Sequence, residues 1–288
     1  MPFLPPVSGP EVVAHRGATA EAPEHTLAAY RRAAALGADA VECDVRMTRD
    51  GVLVCVHDRK VQRTSNGRGV VSTLRLAEME QFQFGARRSR LSRWKDDEIL
   101  AVTDEPDVEN GRVLTLEGLL EYVTATPGTV RLAIETKHPT RHAARVEQEL
   151  VRCLRRYGLL AGDRPAEWAG KPAFRVMSFS QLAVRRVRAM APGVPTVQLI
   201  GKRLRPVRTE LLAGSMSAVG PGVALLRSDP SYVEQAHAAG KEMHVWTANT
   251  AADIDFLVSL GVDALITDRP DEALRRLDRG PGSYGRAG

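Results

Sequence analysis

Short runs of apolar and β-branched residues alternate with amphipathic segments along the 288-residue chain, and this alternation restricts the fold more than any other feature. The apolar runs lack the apolar–polar alternation of a half-exposed strand, so they predict strands that are covered on both faces. The eight predicted strands are Val12–His15, Ala40–Val45, Val130–Glu135, Phe174–Phe179, Pro195–Ile200, Ala218–Leu225, Met243–Ala248 and Ala264–Thr267. The predicted helices are Thr26–Leu36, Leu116–Thr124, Thr140–Tyr157, Gln181–Met190, Val207–Leu212, Ser231–Ala239, Ala251–Leu260 and Asp271–Leu277. Such strand–helix units predict an α/β fold, a (β/α)8 TIM barrel.

An open, doubly wound sheet is the main alternative to this barrel. Sheets of that kind commonly carry a glycine-rich phosphate loop after their first strand, and no such loop follows Val12–His15. Several predicted helices end in glycine directly before a strand, as in LGADAVE and LGVDALIT, which indicates regular helix-to-strand connections. The barrel is therefore the preferred prediction.

One break in this order follows the second predicted strand. The segment Arg49–Gly51 is typical of a hairpin turn, so Val52–Val56 is expected to run back antiparallel to the second strand. A turn centred on residues 49 and 50 would bring His57 opposite Glu42. Residues 58–114 would then form an insertion before the next barrel helix, and a connection of this length is typical of a lid or a small subdomain.

Residues 1–278 are expected to form a single catalytic barrel domain, and the polar, glycine-rich residues 279–288 are expected to be disordered. No apolar run approaches the roughly 20 residues that span a membrane. The first residues lack the pattern of a signal peptide, and the odd set of three cysteines, Cys43, Cys55 and Cys153, has no metal-ligand spacing. We therefore expect a cytoplasmic protein with reduced cysteines.

The formal charge of +5 would favour an anionic partner, but most of the excess is scattered over predicted helices, at positions such as Arg31, Arg185 and Arg188. Aromatic residues make up only 5% of the chain, which is low for a surface that stacks nucleic-acid bases. We expect a small-molecule substrate, no nucleic acid and no membrane span. A homodimer is a possible assembly.

Three carboxylates are predicted at the carboxyl ends of neighbouring strands, where the active site of a TIM barrel lies. Glu42 and Asp44 are two residues apart and so share one face of the second strand, and Glu135 ends the third. Three acids packed together without compensation would have strongly raised pKa values. Ordinary pairing with lysine or arginine is one solution. A bound divalent cation is the preferred one, and ligands that are all oxygen favour Mg²⁺ or Ca²⁺.

Two histidines and two cations accompany these acids. His15 ends the first strand and His57 follows the hairpin, and a neutral imidazole with an imidazolium can act as general base and general acid. Arg16 and Lys137 are candidates for binding a phosphate, the first through a bidentate fork and the second as a point charge. The other five histidines are predicted to be structural or surface residues: His25, His138, His142, His237 and His244.

The segment VVAHRGATAEAPEHTLAAYRRAAALGADAVECDVRMTRDGVLVCVHDRKVQRTSNGRG resembles the opening signature of the glycerophosphodiester phosphodiesterase family. LAIETK, VMSF, MHVWTAN and ALITDRP resemble later strand ends of the same family, and the likeness runs from about Val12 to Pro270. It is weakest in the insertion. The ETKHP and PEHT runs resemble the actinobacterial branch of the family most.

This resemblance implies a barrel with an insertion after the second strand, and hydrolysis of glycerophosphodiesters to glycerol 3-phosphate and an alcohol. It implies the same acid–base, phosphate-binding and metal-binding residues as those above, and it adds Trp246 as a residue that packs on the glycerol. One departure is visible, because His25 stands where the family commonly has asparagine. Glu24 and His25 are therefore candidates for orienting Arg16 or a metal ligand.

Two other functions remain open at this point. A phospholipase-type phosphodiesterase that acts on intact or lyso-lipids would need an apolar lip, and Phe82, Phe84 and Trp94 could supply one unless they form a small core under the insertion. A non-catalytic phosphate-binding barrel would be expected to have lost at least one of the two histidines or three acids, and all five are present.

Overall fold

The computed structural model describes residues 9–85, 111–201 and 214–279. Its strands are β1 (Glu11–His15), β2 (Ala40–Met47), β3 (Leu53–Cys55), β4 (Arg131–Thr136), β5 (Leu160–Ala161), β6 (Arg164–Pro165), β7 (Glu167–Trp168), β8 (Lys171–Pro172), β9 (Phe174–Ser178), β10 (Thr196–Ile200), β11 (Ala218–Pro221), β12 (Glu242–Trp246) and β13 (Ala264–Thr267). In these ranges β1, β2, β4 and β9–β13 pair in parallel, and β1 pairs with both β13 and β2. The sheet is therefore a closed eight-stranded barrel, as predicted.

Helices surround this barrel. They are α1 (Leu27–Leu36), α2 (Leu76–Met79), α3 (Leu116–Ala125), α4 (Arg145–Arg156), α5 (Gln181–Met190), α6 (Val223–Ser228), α7 (Tyr232–Ala238), α8 (Ala251–Ser259) and α9 (Pro270–Arg276). Side-chain hydroxyls cap four of the longer helices at their first turn, from Thr26, Thr115, Ser180 and Thr250. The predicted helix over 207–212 lies outside the described residues. No helix within the described ranges is long and apolar enough to cross a membrane.

Alternate side chains of each barrel strand face two different cores. Val13 and Ala133 belong to a small cluster inside the barrel, whereas Val12, Val41 and Leu132 belong to the larger cluster between the strands and the helices. Because successive side chains of a strand point to opposite faces, residues 40, 42 and 44 share the inner face of β2. The side chains of Glu42 and Asp44 therefore point into the barrel.

Two predicted elements had wrong boundaries, and two short hairpins were not predicted. The apolar run from Ala218 to Leu225 is not one strand, because β11 ends at Pro221 and the chain turns into α6 at Val223. The prolyl ring lacks the N–H that a continuing strand would need. The helix predicted from Thr140 begins only at Arg145. Two short antiparallel hairpins, β5–β6 and β7–β8, fill a stretch for which no element was predicted.

The hairpin after β2 forms, but its register differs from the predicted one by one residue. Val45 pairs with Cys55 and Arg46 with Val54, so extending the ladder would set residue 57 opposite Cys43 rather than Glu42. The turn contains one residue more than predicted, because the amide of Thr48 donates to the carbonyl of Val52. A shift of one residue reverses the faces of a strand, but β3 ends at Cys55 and His57 lies beyond it.

The described part of the insertion has its own small core. Two short 3₁₀ helices (Val61–Arg63 and Val71–Thr73) and α2 pack around Val61, Met79 and Phe84, with Phe82 against them. Phe82 and Phe84 thus form a core under the insertion, and Trp94 lies outside the described residues. The amide of Phe84 donates to the carbonyl of Gly111 at 2.8 Å, which joins the two ends of the segment 86–110.

The predicted tail begins at a residue that is tied to the barrel. Arg279 lies 2.6 Å from a carboxylate oxygen of Asp39, and residues 280–288 lie outside the described ranges. At the same amino-terminal end of the barrel, the carboxylate of Glu11 accepts hydrogen bonds from both terminal nitrogens of Arg175, at 2.9 and 3.0 Å. Arg131 lies 3.2 Å from the same carboxylate. Burial would raise the pKa of Glu11, but Arg175 and Arg131 outweigh it and lower the pKa to about 2.

We expect Glu11→Gln to lower the free energy of unfolding near neutral pH by about 3 kcal/mol, because it leaves the buried Arg175 and the half-buried Arg131 without their carboxylate. Since the folded pKa of Glu11 lies below its ordinary value of 4.5, this stabilisation is complete above pH 4.5 and is lost as the pH falls towards about 2. Urea unfolding between pH 7 and pH 2 measures it. Glu234→Gln, on the exposed face of α7, is the control. Equal acid sensitivity of wild type and Glu11→Gln would contradict this account.

Candidate active site

The carboxyl ends of the barrel strands bring the predicted acids together. In the strand registers, Glu42 lies beside His15 and Asp44 beside Glu135. Glu42, Asp44 and Glu135 are all buried, and each offers an oxygen within 4.8 Å of the others. Burial, and after it the charges of Asp44 and Glu135, raise the pKa of Glu42 well above its ordinary value. Burial and Asp44 likewise raise the pKa of Glu135 to about 7.

These three carboxylates fit a divalent cation. Oxygen Oε1 of Glu42 is buried and accepts no hydrogen bond from the described residues, so it has a lone pair to offer to a ligand. A cation would also remove the repulsion that raises the pKa of Glu42 and Glu135. The described part of the chain therefore contains an acidic site of the kind that holds a hard metal ion.

Lys137 contacts two of these acids. Its ammonium lies 2.7 Å from Glu135 and 2.8 Å from Asp44, and Lys137 is the first residue after β4. Burial would raise the pKa of Asp44, but the hydrogen bond from His25 and the charges of Lys137 and Arg16 hold it well below its ordinary value. The lysine is thus part of the charge balance of the acidic site and lies within reach of any anion bound there.

Arg16 is placed by an unusual backbone turn. Its φ is +60°, and its amide donates to a carboxylate oxygen of Glu42 at 3.0 Å. Its guanidinium lies 3.0 Å from Asp44 and 3.2 Å from Glu24. Gly17 follows with a φ of +91°, and a Cβ there would lie 2.6 Å from that of Ala29, so only glycine fits this turn.

His15 is oriented by a carboxylate from the last strand. Its Nδ1 lies 2.7 Å from Oδ1 of Asp268, which also accepts a hydrogen bond from Thr19. The second oxygen of Asp268 accepts from the side chain of Asn249. This contact fixes the tautomer of the imidazole and leaves its Nε2 free for proton transfer.

We expect Asp268→Asn to lower kcat by about 10²-fold while leaving KM little changed, because the side chain positions His15 without touching substrate. The pH profile of kcat should also shift, which a purely structural role would not cause. Steady-state kinetics across pH measure both effects. Asp255→Asn, an exposed acid that pairs with Arg276, is the control. Wild-type kcat in Asp268→Asn would exclude the positioning role.

His57 has a similar arrangement, with partners from the insertion. Its Nδ1 lies 2.7 Å from Asp58, and the other oxygen of Asp58 accepts from Arg63 at 2.6 Å. Arg63 also donates to Glu24 at 2.7 Å, and Glu24 in turn contacts Arg16. Burial, and then the charges of Lys137 and Arg16, lower the pKa of His57 to about 4 despite the nearby Asp44. At neutral pH the ring is therefore uncharged and can accept a proton.

The chain matches the family model described as the glycerophosphoryl diester phosphodiesterase family over residues 15–272. This chain belongs to that family. A Mycobacterium tuberculosis protein named "Probable glycerophosphodiester phosphodiesterase 1" is 42% identical over 94% of this chain and 93% of its own. A Bacillus subtilis glycerophosphodiester phosphodiesterase is 30% identical over 90% of this chain and 83% of its own. The predicted family membership is thus confirmed, and the chain is a phosphoric diester hydrolase.

Solved structures share the fold of this glycerophosphoryl diester phosphodiesterase family member. The Agrobacterium tumefaciens glycerophosphodiester phosphodiesterase superposes with a TM-score of 0.69 at 25% identity, over 92% of this chain and 99% of its own. An Oleispira antarctica phosphodiesterase in complex with sn-glycerol-3-phosphate superposes with a TM-score of 0.76 at 22% identity, over 94% and 97% of the two chains. Both support the barrel fold.

His25 lies directly behind the acidic site. It is buried, its Nε2 lies 2.9 Å from Asp44, and its Nδ1 lies 2.7 Å from the hydroxyl of Tyr30. It therefore orients a candidate metal ligand. The remaining histidines lie elsewhere, and His138, His237 and His244 each contact a glutamate or aspartate within 2.9 Å.

Trp246 lies at the end of β12, at the mouth of the barrel. Its indole nitrogen donates to the carbonyl of Gly220 at 2.8 Å, and its ring meets that of Phe179 edge to face at 5.4 Å. The ring of Phe179 also lies 6.0 Å from the ammonium of Lys137. Trp246 is thus held in place at one wall of the site.

The sequence prediction missed the residues that hold the histidines. Asp58, Arg63 and Asp268 had no assigned role, although Asp58 follows His57 directly and Asp268 ends the last strand. An acid at the end of another barrel strand is a usable signal, because those ends share one face of the barrel. Arg63 carried no such signal, since only the fold of the insertion brings it to Glu24.

Proposed function

We propose that this enzyme hydrolyses glycerophosphodiesters, such as glycerophosphocholine or glycerophosphoethanolamine, to glycerol 3-phosphate and an alcohol. The observation that carries the proposal is that two histidines, each backed by an aspartate at 2.7 Å, lie at the mouth of a barrel beside three buried carboxylates. Acid–base groups, anion-binding cations and a cation site are the parts that hydrolysis of a phosphodiester needs.

Glu42, Asp44 and Glu135 would hold a divalent cation, Mg²⁺ or Ca²⁺, since all three ligands are carboxylates. When bound, such a cation supplies positive charge that stabilises the charge developing on the phosphoryl oxygens. Arg16 and Lys137 would bind the same phosphate, because both lie at the acidic site and a guanidinium and an ammonium both donate hydrogen bonds to phosphate oxygens.

Proton transfer would involve the free nitrogens of the two histidines. The low pKa of His57 supports a role as general base, in which its Nε2 takes the proton of the attacking hydroxyl. His15, held in place by Asp268, would give a proton to the leaving alcohol as the P–O ester bond breaks. The attacking oxygen belongs to water or to the substrate's own glycerol hydroxyl. Attack by the glycerol hydroxyl would form a cyclic phosphate intermediate, which ³¹P NMR detects, and attack by water would not.

A panel of substrates tests this function. We expect release of glycerol 3-phosphate from glycerophosphocholine or glycerophosphoethanolamine, loss of activity in EDTA, and recovery with Mg²⁺, Ca²⁺ or Mn²⁺ tested in turn. The positioning of Trp246 supports a contact with glycerol, so Trp246→Ala should raise KM. Failure to cleave any glycerophosphodiester with any of these cations would overturn the proposal.

A phospholipase-type activity on intact or lyso-lipids is the second candidate. Two exposed apolar side chains favour it: Phe179, whose ring contacts Trp246, is 43% exposed, and Leu182, in the first turn of α5, is 59% exposed. Neither belongs to the insertion, whose described aromatic residues lie in its own core. Parallel assays with lysophosphatidylcholine and glycerophosphocholine separate the two functions, and a higher kcat/KM for the lipid would favour the second.

We place this activity in the cytoplasm, which the three free, buried cysteines support. We also propose a homodimer as one oligomeric state of this enzyme. Sedimentation equilibrium at assay concentration measures it.

A further inference from the structure

A basic cavity adjoins the candidate active site on the side of the insertion. Its volume is about 290 Å³, and it lies between the end of β2, the second 3₁₀ helix and the loop after β4. Its walls include four cationic side chains, Arg46, Arg59, Lys137 and Arg141, and no carboxylate. The cavity is therefore positive and open to an anion.

The four cations differ in how far their charge is balanced. Lys137 pairs with Glu135 and Asp44, as described above. Arg46, Arg59 and Arg141 form no ion pair within the part of the chain that the structure describes. Arg46 is half-buried and donates to the carbonyl of His57 at 2.8 Å. Among the described residues, three arginines thus line one cavity without a carboxylate in ion-pair contact with any of them.

Lys137 lies between this cavity and the position proposed for the substrate's phosphate. It lines the cavity and contacts the acidic site, and its ammonium lies 6.0 Å from the ring of Phe179. Phe179 in turn contacts Trp246, the residue proposed to pack on glycerol. A substrate with its glycerol at Trp246 and its phosphate beside Lys137 would extend its alcohol towards the cavity.

We propose that the cavity is a subsite for a second anionic group on the alcohol, so that the preferred substrates are glycerophosphodiesters whose alcohol carries a phosphate monoester. This inference rests on the proposed function. A phosphate monoester carries up to two negative charges and accepts bidentate hydrogen bonds from guanidinium groups, which suits Arg59 and Arg141 at the outer wall. A choline head group, which is cationic, would meet repulsion there.

Two substrates that differ by a single phosphate test the subsite. Glycerophosphoinositol 4-phosphate carries the second anion, and glycerophosphoinositol lacks it. We expect wild-type kcat/KM to be about ten-fold or more higher for the phosphorylated substrate, since each charge-assisted contact contributes a factor of about ten. The ratio should fall as salt rises, because partly exposed charges are screened.

Arg59→Gln and Arg141→Gln should each lower this ratio by about ten-fold while leaving kcat/KM for glycerophosphoinositol unchanged. Arg185→Gln removes the same charge from the exposed face of α5, outside the cavity, and should leave the ratio as in wild type. Direct binding gives a readout that does not depend on catalysis. By calorimetry, inositol 4-phosphate should bind more tightly than inositol, and the double variant should lose the difference.

The outcomes separate the two proposals. Equal kcat/KM for both inositol substrates, or a ratio unaffected by Arg59→Gln and Arg141→Gln, would overturn the subsite while glycerophosphodiester hydrolysis stands. If no glycerophosphodiester is cleaved, the function fails, and calorimetry with inositol 4-phosphate still decides the subsite. Equal binding of inositol and inositol 4-phosphate would then overturn it as well.

Discussion

His57→Ala is expected to lower kcat for glycerophosphocholine by about 10³-fold, because general acid–base groups contribute roughly 10²- to 10⁴-fold and no other described histidine occupies its place. The wild-type acid limb of kcat/KM should lie below the ordinary histidine pKa of 6.5, towards about 4. Because a general base must be unprotonated, kcat/KM should fall as the pH drops and the ring of His57 becomes protonated. A pH–rate profile measured with saturating cation tests both points.

His237→Ala is the matched control for this variant. His237 is exposed and pairs with Asp263 at the other end of the barrel, so its loss should leave kcat unchanged. Thermal unfolding of both variants shows whether the fold is kept. Near wild-type turnover by a folded His57→Ala protein would refute the scheme with two histidines, although cation binding and family membership would be unaffected.

Glu42→Gln is expected to abolish cation-dependent activity and to stabilise the cation-free protein. In the absence of a cation, the raised pKa of Glu42 means that its charged form destabilises the fold, increasingly so as the pH rises above 4.5. Removing that charge should raise the free energy of unfolding near neutral pH by about 1 kcal/mol, equivalent to a few degrees in Tm. Stability without cation should therefore depend less on pH than in wild type.

The response to added cation should change in the opposite direction. A cation at about 100 times its Kd stabilises the wild type by roughly 3 kcal/mol, and Glu42→Gln should lose most of that gain. Glu117→Gln is the control, because Glu117 belongs to another cluster of potential ligands, with Glu149 and Cys153. Thermal unfolding with and without Mg²⁺ or Ca²⁺ measures the difference. An unchanged response in Glu42→Gln would exclude Glu42 as a ligand.

The barrel could be predicted from the sequence because its strands are covered on both faces and glycine follows several of its helices, as Gly37 follows α1. The same periodicity indicated that Glu42 and Asp44 share the inner face of one strand. The register of the hairpin after β2 was harder to predict than the strands themselves. The hairpin was recognised from Arg49–Gly51, but the length of its turn depends on the hydrogen bond between Thr48 and Val52, which composition does not reveal.

The partners of the candidate catalytic groups were less predictable than those groups themselves. Asp268 reaches His15 across 253 positions of sequence, and closure of the barrel between β1 and β13 brings them together. Arg63 reaches Glu24 because a 3₁₀ helix of the insertion folds over the first loop. Contacts of this kind follow from tertiary packing rather than local pattern, so a single sequence carries little signal for them.

The hydrogen bond between Phe84 and Gly111 makes the two ends of the segment 86–110 neighbours on the barrel. A chain that leaves and returns at adjacent points can change in length at little entropic cost. Homologous enzymes could thus lengthen, shorten or exchange this segment during evolution while keeping Asp58, Arg63 and His57 in position. The same junction offers protein engineers a place to graft a different recognition loop onto the barrel.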